Sequence, residues 1–148
     1  MTTWGGFAAA EPELAAFVAA RLLAGPSYLA TVGADGTPRV HPVTAIISAD
    51  SLFVFMEPTS PKGRDLRERG AFALHNGVPD GHGTGGEVLV RGRSRPVDDD
   101  ADRARAVAAS SYKPAERYVL FELLVTEARC NGYGDVELPP TRRWASAT

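Results

Sequence analysis

Two neighbouring stretches of this chain, 27–33 and 38–48, are rich in Val, Ile, Thr and Tyr and are joined by a turn containing Asp35-Gly36. This pattern predicts a β-hairpin, because Asp-Gly suits the tight turn between antiparallel strands. Residues 52–56 are all apolar, which predicts a third strand that is buried on both faces. Alternating or apolar patterns predict further strands over 71–75, 87–97 and 117–131.

Helical patterns stand at the margins of this series, over 11–24, 62–70 and 98–111. A βαβ fold would need helices between most of the strands, and the sequence does not supply them. The pattern therefore predicts a mainly β fold with peripheral helices, in which about six antiparallel strands close into a small barrel.

The chain length of 148 residues fits a single domain covering 1–148. Within it, we expect the N-terminal helix over 11–24, the barrel over about 27–131 and a C-terminal tail over 132–148. No stretch reaches the roughly 18 apolar residues of a membrane span, so we expect no membrane partner.

Charge and cysteine content narrow the function further. The net charge of −2 argues against a nucleic-acid partner, which would require a basic surface. The single cysteine, Cys130, cannot form an intrachain disulfide, which predicts a reducing compartment and a cytoplasmic location. His41, His75 and His82 are too scattered to form a local metal-binding pattern, so no metal site is predicted.

The glycine-rich segment over 77–86 contains a G-x-G-x-x-G spacing at 81–86. A dinucleotide-binding fingerprint needs a helix directly after these glycines, whereas the following residues continue as a strand pattern. The segment is therefore predicted to be a hairpin loop.

A polar segment follows the third predicted strand and contains Thr59, Ser60, Lys62 and Arg64. Here a strand gives way to a short helix, so free backbone N–H groups, hydroxyls and positive charge converge on one place. Only two of the 16 basic residues are lysines, Lys62 and Lys113, so a lysine at this position suggests a need for a compact ammonium. We interpret the segment as a candidate phosphate cradle.

The second predicted strand contributes a polar face to the same region. Strand alternation places Arg39, His41 and Val43 on one side. With the cradle residues, this side is predicted to line a groove for a flat, phosphorylated ligand. An ordinary edge strand with a solvated arginine, followed by a polar turn, is the alternative reading of the same residues.

Several stretches, taken in order, resemble the pyridoxamine 5'-phosphate oxidase-like, FMN-binding split-barrel family. They are the hairpin segments 27–32 and 36–43, the Ser-Pro-Lys segment 60–66, the Gly-containing strand 90–93 and the Arg-Arg-Trp ending 142–144. The resemblance covers roughly 26–144. It implies a split β-barrel homodimer with the cofactor at the subunit interface.

For the phosphate, the resemblance implies that Arg39 and Lys62 neutralise its charge, that Ser60 donates a hydroxyl and that Thr59 lies beside it. Many family members carry Arg directly before the phosphate Lys, and this chain has Pro61 instead. Pro61 supplies neither a guanidinium nor a backbone N–H. Arg64, one helical turn further along, is the candidate substitute.

For the cofactor ring, the resemblance places Val43 and Thr44 along the isoalloxazine, with His41 on the same strand. FMN is the expected cofactor. Because some family members bind the deazaflavin coenzyme F-420 or haem, these two cofactors remain alternatives. The resemblance assigns no catalytic acid or base.

Two functions follow as hypotheses. The first is an FMN- or deazaflavin-dependent oxidoreductase that transfers a hydride to or from a small organic substrate, with the cofactor performing the chemistry. The second is a non-catalytic protein that binds or carries a flavin, pyridoxal phosphate or haem.

Overall fold

The computed structural model describes residues 1–147, over which the chain forms four helices and eight strands. The helices are α1 (Trp4–Ala10), α2 (Pro12–Leu23), α3 (Pro61–Glu68) and α4 (Asp100–Ala109). The strands are β1 (Ser27–Val32), β2 (Pro38–Val43), β3 (Ile46–Ser48), β4 (Ser51–Met56), β5 (Ala71–Asn76), β6 (Glu87–Val97), β7 (Val119–Asn131) and β8 (Arg143–Ala145).

All eight strands belong to one antiparallel sheet with the order β2-β1-β5-β6-β7-β4-β3, and β8 adds to β7. The first hairpin pairs Ser27 with Val43 and Val32 with Pro38, as the Asp-Gly turn predicts. The prediction of a mainly β, antiparallel fold with peripheral helices is confirmed.

One predicted strand, 38–48, is wrong in its extent, because the structure divides it into β2 and β3. These two strands lie at opposite ends of the strand order, although only Thr44 and Ala45 separate them in the chain. The two edges of the sheet must therefore meet at this corner, which curls the sheet towards a barrel. The sequence does not mark the corner, since Val43, Thr44 and Ile46 all suit a strand.

The N-terminal segment contains a helix that the sequence analysis did not predict. Thr3 caps α1 by accepting a hydrogen bond from the Gly6 amide at 3.2 Å. Phe7 is fully buried, and its ring lies 5.1 Å from that of Trp144, next to the core. Packing, rather than helix propensity, stabilises this short Gly-containing helix.

The main core fills the concave side of the sheet. There α2 contributes Leu14, Val18 and Leu22, which pack against inward-facing strand residues such as Leu74 and Val90. In the part of the chain that the structure describes, no helix is long and apolar enough to cross a membrane.

Every residue of β4 is buried, which confirms the prediction for 52–56. Leu52, Val54 and Met56 belong to the main core, while Phe53 and Phe55 join a smaller cluster beneath α4. This double burial fixes the end of β4, from which the polar segment before α3 begins.

Candidate functional site

Helix α3 begins at the candidate cradle, and Ser60 is its N-cap. The Ser60 hydroxyl accepts a hydrogen bond from the Gly63 amide at 3.1 Å and donates one to the Glu57 carbonyl at 2.8 Å. Pro61 occupies the first helical turn, where its missing N–H costs nothing. The hydroxyl is therefore used to hold the turn that carries Lys62.

Replacing Ser60 with alanine is expected to lower the free energy of unfolding by about 1 kcal/mol, because α3 loses its capping acceptor. Urea denaturation would measure the change. Thr59→Ala is the matched control, since Thr59 is an exposed neighbouring hydroxyl with no hydrogen bond to the described residues. Equal effects of the two substitutions would contradict a capping role for Ser60.

A buried carboxylate attaches α3 to the first hairpin. Asp65 accepts hydrogen bonds from Thr31 Oγ1 at 2.7 Å, Arg39 Nε at 2.9 Å and Arg69 Nη2 at 2.8 Å. Burial opposes ionisation of Asp65, but the hydrogen bonds from Thr31, Arg69 and Arg39 outweigh it and hold its pKa below the ordinary value. Arg39 is thus positioned by an acid on α3.

A cleft of about 380 Å³ opens at the corner between β2 and β3. Three of the predicted site residues, Val43, Thr44 and Lys62, line it together. Its volume falls within the roughly 300–1,000 Å³ typical of small-molecule sites. The corner therefore brings the strand end and the first turn of α3 to one place.

The charge of Lys62 is available in this cleft. Glu57 also lines it, but the Glu57 carboxylate is held by the guanidinium of Arg117 at 2.9 Å. Among residues 1–147, no carboxylate lies within ion-pair distance of Lys62. The cleft therefore presents an uncompensated ammonium, which suits an anionic group.

The structure places the other predicted residues outside the lining of this cleft. His41 is half-buried on β2 and its imidazole makes no hydrogen bond to the described residues, and Arg64 is exposed on α3. Of the remaining three, Arg39 pairs with Asp65, Thr59 is exposed and Ser60 is the N-cap of α3. Their assignment to a phosphate stays a prediction.

Aromatic residues that the sequence analysis missed form much of the cleft wall. Phe55 comes from β4, while Tyr112 and Tyr118 come from the segment between α4 and β7. Burial, reinforced by the neighbouring Tyr118, raises the pKa of the Tyr112 hydroxyl. No local motif announces these residues, because long-range pairing of β4 with β7 brings them to the site.

A second cluster lies around the start of β6. His75 Nδ1 lies 2.6 Å from the Asn76 carbonyl, and Nε2 lies 3.1 Å from the Glu87 carboxylate, which also accepts from Tyr133. Burial opposes ionisation of Glu87, but hydrogen bonds from Tyr133, Asn131 and His75 leave its pKa lowered. Both ring nitrogens of His75 are engaged, so neither is free to bind a ligand without rearrangement.

The curled antiparallel sheet, with its helices at the rim and a cleft at the corner, is a split β-barrel. A family model for pyridoxamine 5'-phosphate oxidase matches residues 10–130. The chain belongs to this family, and the resemblance predicted from its sequence is confirmed. No curated protein matches the sequence significantly.

Solved structures agree on the fold. A haem-binding protein from Mycobacterium smegmatis superposes with a TM-score of 0.68 at 19% identity, over 90% of this chain and 56% of that one. The haem storage protein HutZ from Vibrio cholerae superposes with a TM-score of 0.60 at 18% identity, over 84% of this chain and 96% of that one. General Stress Protein 26 from Bacillus anthracis superposes with a TM-score of 0.61 at 15% identity, over 78% of this chain and 91% of that one. This chain thus spans just over half of the mycobacterial protein, and at these identities the likeness shows the fold alone.

Proposed function

We propose that the protein is an oxidoreductase that binds FMN, or a deazaflavin, in the corner cleft and transfers a hydride to or from a small organic substrate. The observation that carries this proposal is the uncompensated Lys62 ammonium in a cleft lined by Val43 and Thr44. Family membership supports it, since flavins are common cofactors of this family.

The residues of the cleft fit a planar, phosphorylated cofactor. Lys62 would bind the phosphate, and Phe55, Tyr112 and Tyr118 offer aromatic surface to a ring. Among the strands of residues 1–147, β2 pairs only with β1, so its outer edge keeps backbone groups for hydrogen bonds. A bound flavin or deazaflavin would supply the hydride chemistry, while these residues orient it and exclude water.

Cofactor titration and reduction test this function directly. FMN added to the apoprotein is expected to bind with quenching of its fluorescence, and the complex is expected to bleach with a reduced nicotinamide or a reduced deazaflavin. Absence of binding by both FMN and the deazaflavin would overturn the proposal. A bound flavin that no donor reduces would favour a carrier of flavin or pyridoxal phosphate instead.

Haem binding is the second candidate, because two of the similar structures are described as haem-binding and haem storage proteins. His41 is a candidate axial ligand here, since it is half-buried on β2 and its imidazole has no hydrogen bond to the described residues. Hemin titration would test it: a sharp Soret band that His41→Ala abolishes supports haem, and a band unaffected by the change contradicts this ligand.

We further propose a homodimer, supported by the convex face of the first hairpin. On this face, the residues Tyr28, Val32 and Val40 are 46%, 37% and 64% exposed. Pro42 pairs with Tyr28 across the strands and also lines the cofactor cleft. A second copy covering this face would therefore place the cleft at the subunit interface.

Replacing Val40 with glutamate is expected to convert the dimer to a monomer, because a charge would be buried in an apolar interface. Light scattering coupled to gel filtration measures the mass. Val107→Glu serves as the control, since Val107 is 41% exposed on α4, away from this face. A wild-type monomer, or a Val40→Glu variant that stays dimeric, would contradict the proposed interface.

A further inference from the structure

A separate cleft of about 520 Å³ lies between the end of α2 and the glycine-rich loop over 77–86. Its walls include Ala20, Pro26, Val78 and Pro79, together with several glycines of the loop. The loop connects the antiparallel strands β5 and β6, as the sequence predicts, and its residues do not line the cofactor cleft. The cleft is apolar over most of its lining and is large enough for a small organic molecule.

Hydrogen bonds within the protein give the loop a defined shape. The Asp80 carboxylate accepts from the amides of His82 at 2.9 Å and Thr84 at 3.2 Å, and also from the Thr84 hydroxyl. Asn76 donates to the Gly86 carbonyl at 3.2 Å and accepts from the Val88 amide at 2.9 Å. The polar side chains of Asn76 and Thr84 in the cleft wall are thus already satisfied.

Arg21 is the single charged residue that lines this cleft among the described residues. Its Nε donates to the Gly85 carbonyl at 2.9 Å, and its guanidinium carbon lies 3.5 Å from the centroid of the Phe17 ring. No carboxylate of residues 1–147 lies within ion-pair distance of it. An apolar cleft therefore carries one fixed positive charge with no acidic partner.

The cleft adjoins the proposed cofactor site. Pro26 lines both clefts. Tyr28 lines the first and Pro42 the second, and these two residues are direct cross-strand partners in the β1–β2 hairpin. A molecule held against Pro26 and Tyr28 would therefore be next to a ring held against Pro26 and Pro42.

We propose that this cleft binds the substrate, and that the substrate is a small apolar organic acid in its ionised form. The apolar walls would receive its aromatic or aliphatic body, and the Arg21 guanidinium would bind its carboxylate. The substrate assignment rests on the oxidoreductase function proposed above. Binding of the apolar anion to the cleft can be tested without the cofactor.

Two fluorescent probes with the same apolar body test whether the Arg21 guanidinium contributes to binding of an anion. 1-Anilinonaphthalene-8-sulfonate is expected to bind the apoprotein about tenfold more tightly than uncharged N-phenyl-1-naphthylamine, because only the sulfonate can pair with Arg21. Arg21→Gln should remove this preference, and Arg21→Lys should retain most of it. Octanoate, a non-fluorescent apolar acid, should displace the sulfonate from the wild-type protein.

A substitution that fills the cleft tests whether the probes bind there. Ala20→Trp should reduce binding of both probes at least tenfold, since Ala20 lines the cleft. The control Ala16→Trp should leave binding unchanged, because Ala16 is exposed one turn earlier on α2 and does not line it. Equal wild-type affinities for the two probes, no displacement by octanoate, or tight binding to Ala20→Trp would each overturn the proposal.

FMN titration of the same proteins separates the two proposals. Ala20 does not line the cofactor cleft, so Ala20→Trp should keep wild-type FMN affinity while losing the probes. A wild-type protein that binds the sulfonate at Arg21 but neither FMN nor the deazaflavin would remove the oxidoreductase function and leave the anion-binding cleft. Normal FMN binding with failed probe results would remove the anion-binding cleft alone.

Discussion

Replacing Lys62 with alanine is expected to weaken FMN binding by about 1.5 to 3 kcal/mol, a factor of roughly 10 to 150. The reason is that Lys62 is a cation lining the corner cleft and no carboxylate of residues 1–147 neutralises it. Its interaction with a phosphate would be a charge-assisted hydrogen bond in a partly desolvated site. Quenching of FMN fluorescence during titration gives the two dissociation constants.

Lys113, the other lysine of the chain, supplies the control for this substitution. It is exposed and does not line the cleft, so Lys113→Ala should leave FMN affinity unchanged. Riboflavin, which lacks the phosphate, should bind wild-type and Lys62→Ala proteins equally. Unchanged FMN affinity in Lys62→Ala would remove Lys62 from the site, and an equal loss for riboflavin would assign it to the ring instead.

Local patterns in the sequence predict the strands because each strand carries its own signal. The Asp35-Gly36 turn determines the first hairpin, and the apolar run 52–56 determines a doubly buried strand. The corner at Thr44 and Ala45 has no such signal, since its residues suit a strand as well as a bend. It results from the pairing of β4, the partner of β3 in a short hairpin, with the distant strand β7.

The candidate site likewise contains residues that a local sequence pattern predicts and residues that only the tertiary fold brings together. Val43, Thr44 and Lys62 are predictable because they stand at the end of a strand and at the start of a helix in one continuous segment. Tyr112 and Tyr118 come from a loop that follows α4, and only the tertiary fold brings them to the cleft. Arg39 was predicted to face a phosphate, and the structure also gives it an internal partner, Asp65.

Asp65→Asn is expected to lower the free energy of unfolding by about 3 kcal/mol, the lower end of the range for breaking a buried ion pair from one side. The Asp65 side chain is 1% exposed and is bound by two guanidiniums and a hydroxyl. The side chains of Arg39 and Arg69 are 39% and 28% exposed, so they stay partly hydrated after the loss, which limits the cost. Urea denaturation at pH 7 measures the difference.

The same substitution carries a pH signature that separates charge from packing. Because the pKa of Asp65 is lowered in the folded protein, its contribution is complete above the unfolded value of about 3.9 and is lost as pH falls through the folded value. The stability difference between wild type and Asp65→Asn should therefore be constant from pH 7 to about 5 and shrink below about 4.

Glu68→Gln on the same helix is the control. Glu68 is 53% exposed and pairs only with Arg69 in the described chain, so its loss should cost under about 0.5 kcal/mol. A difference for Asp65→Asn that stays constant down to pH 3 would attribute the effect to packing instead of charge.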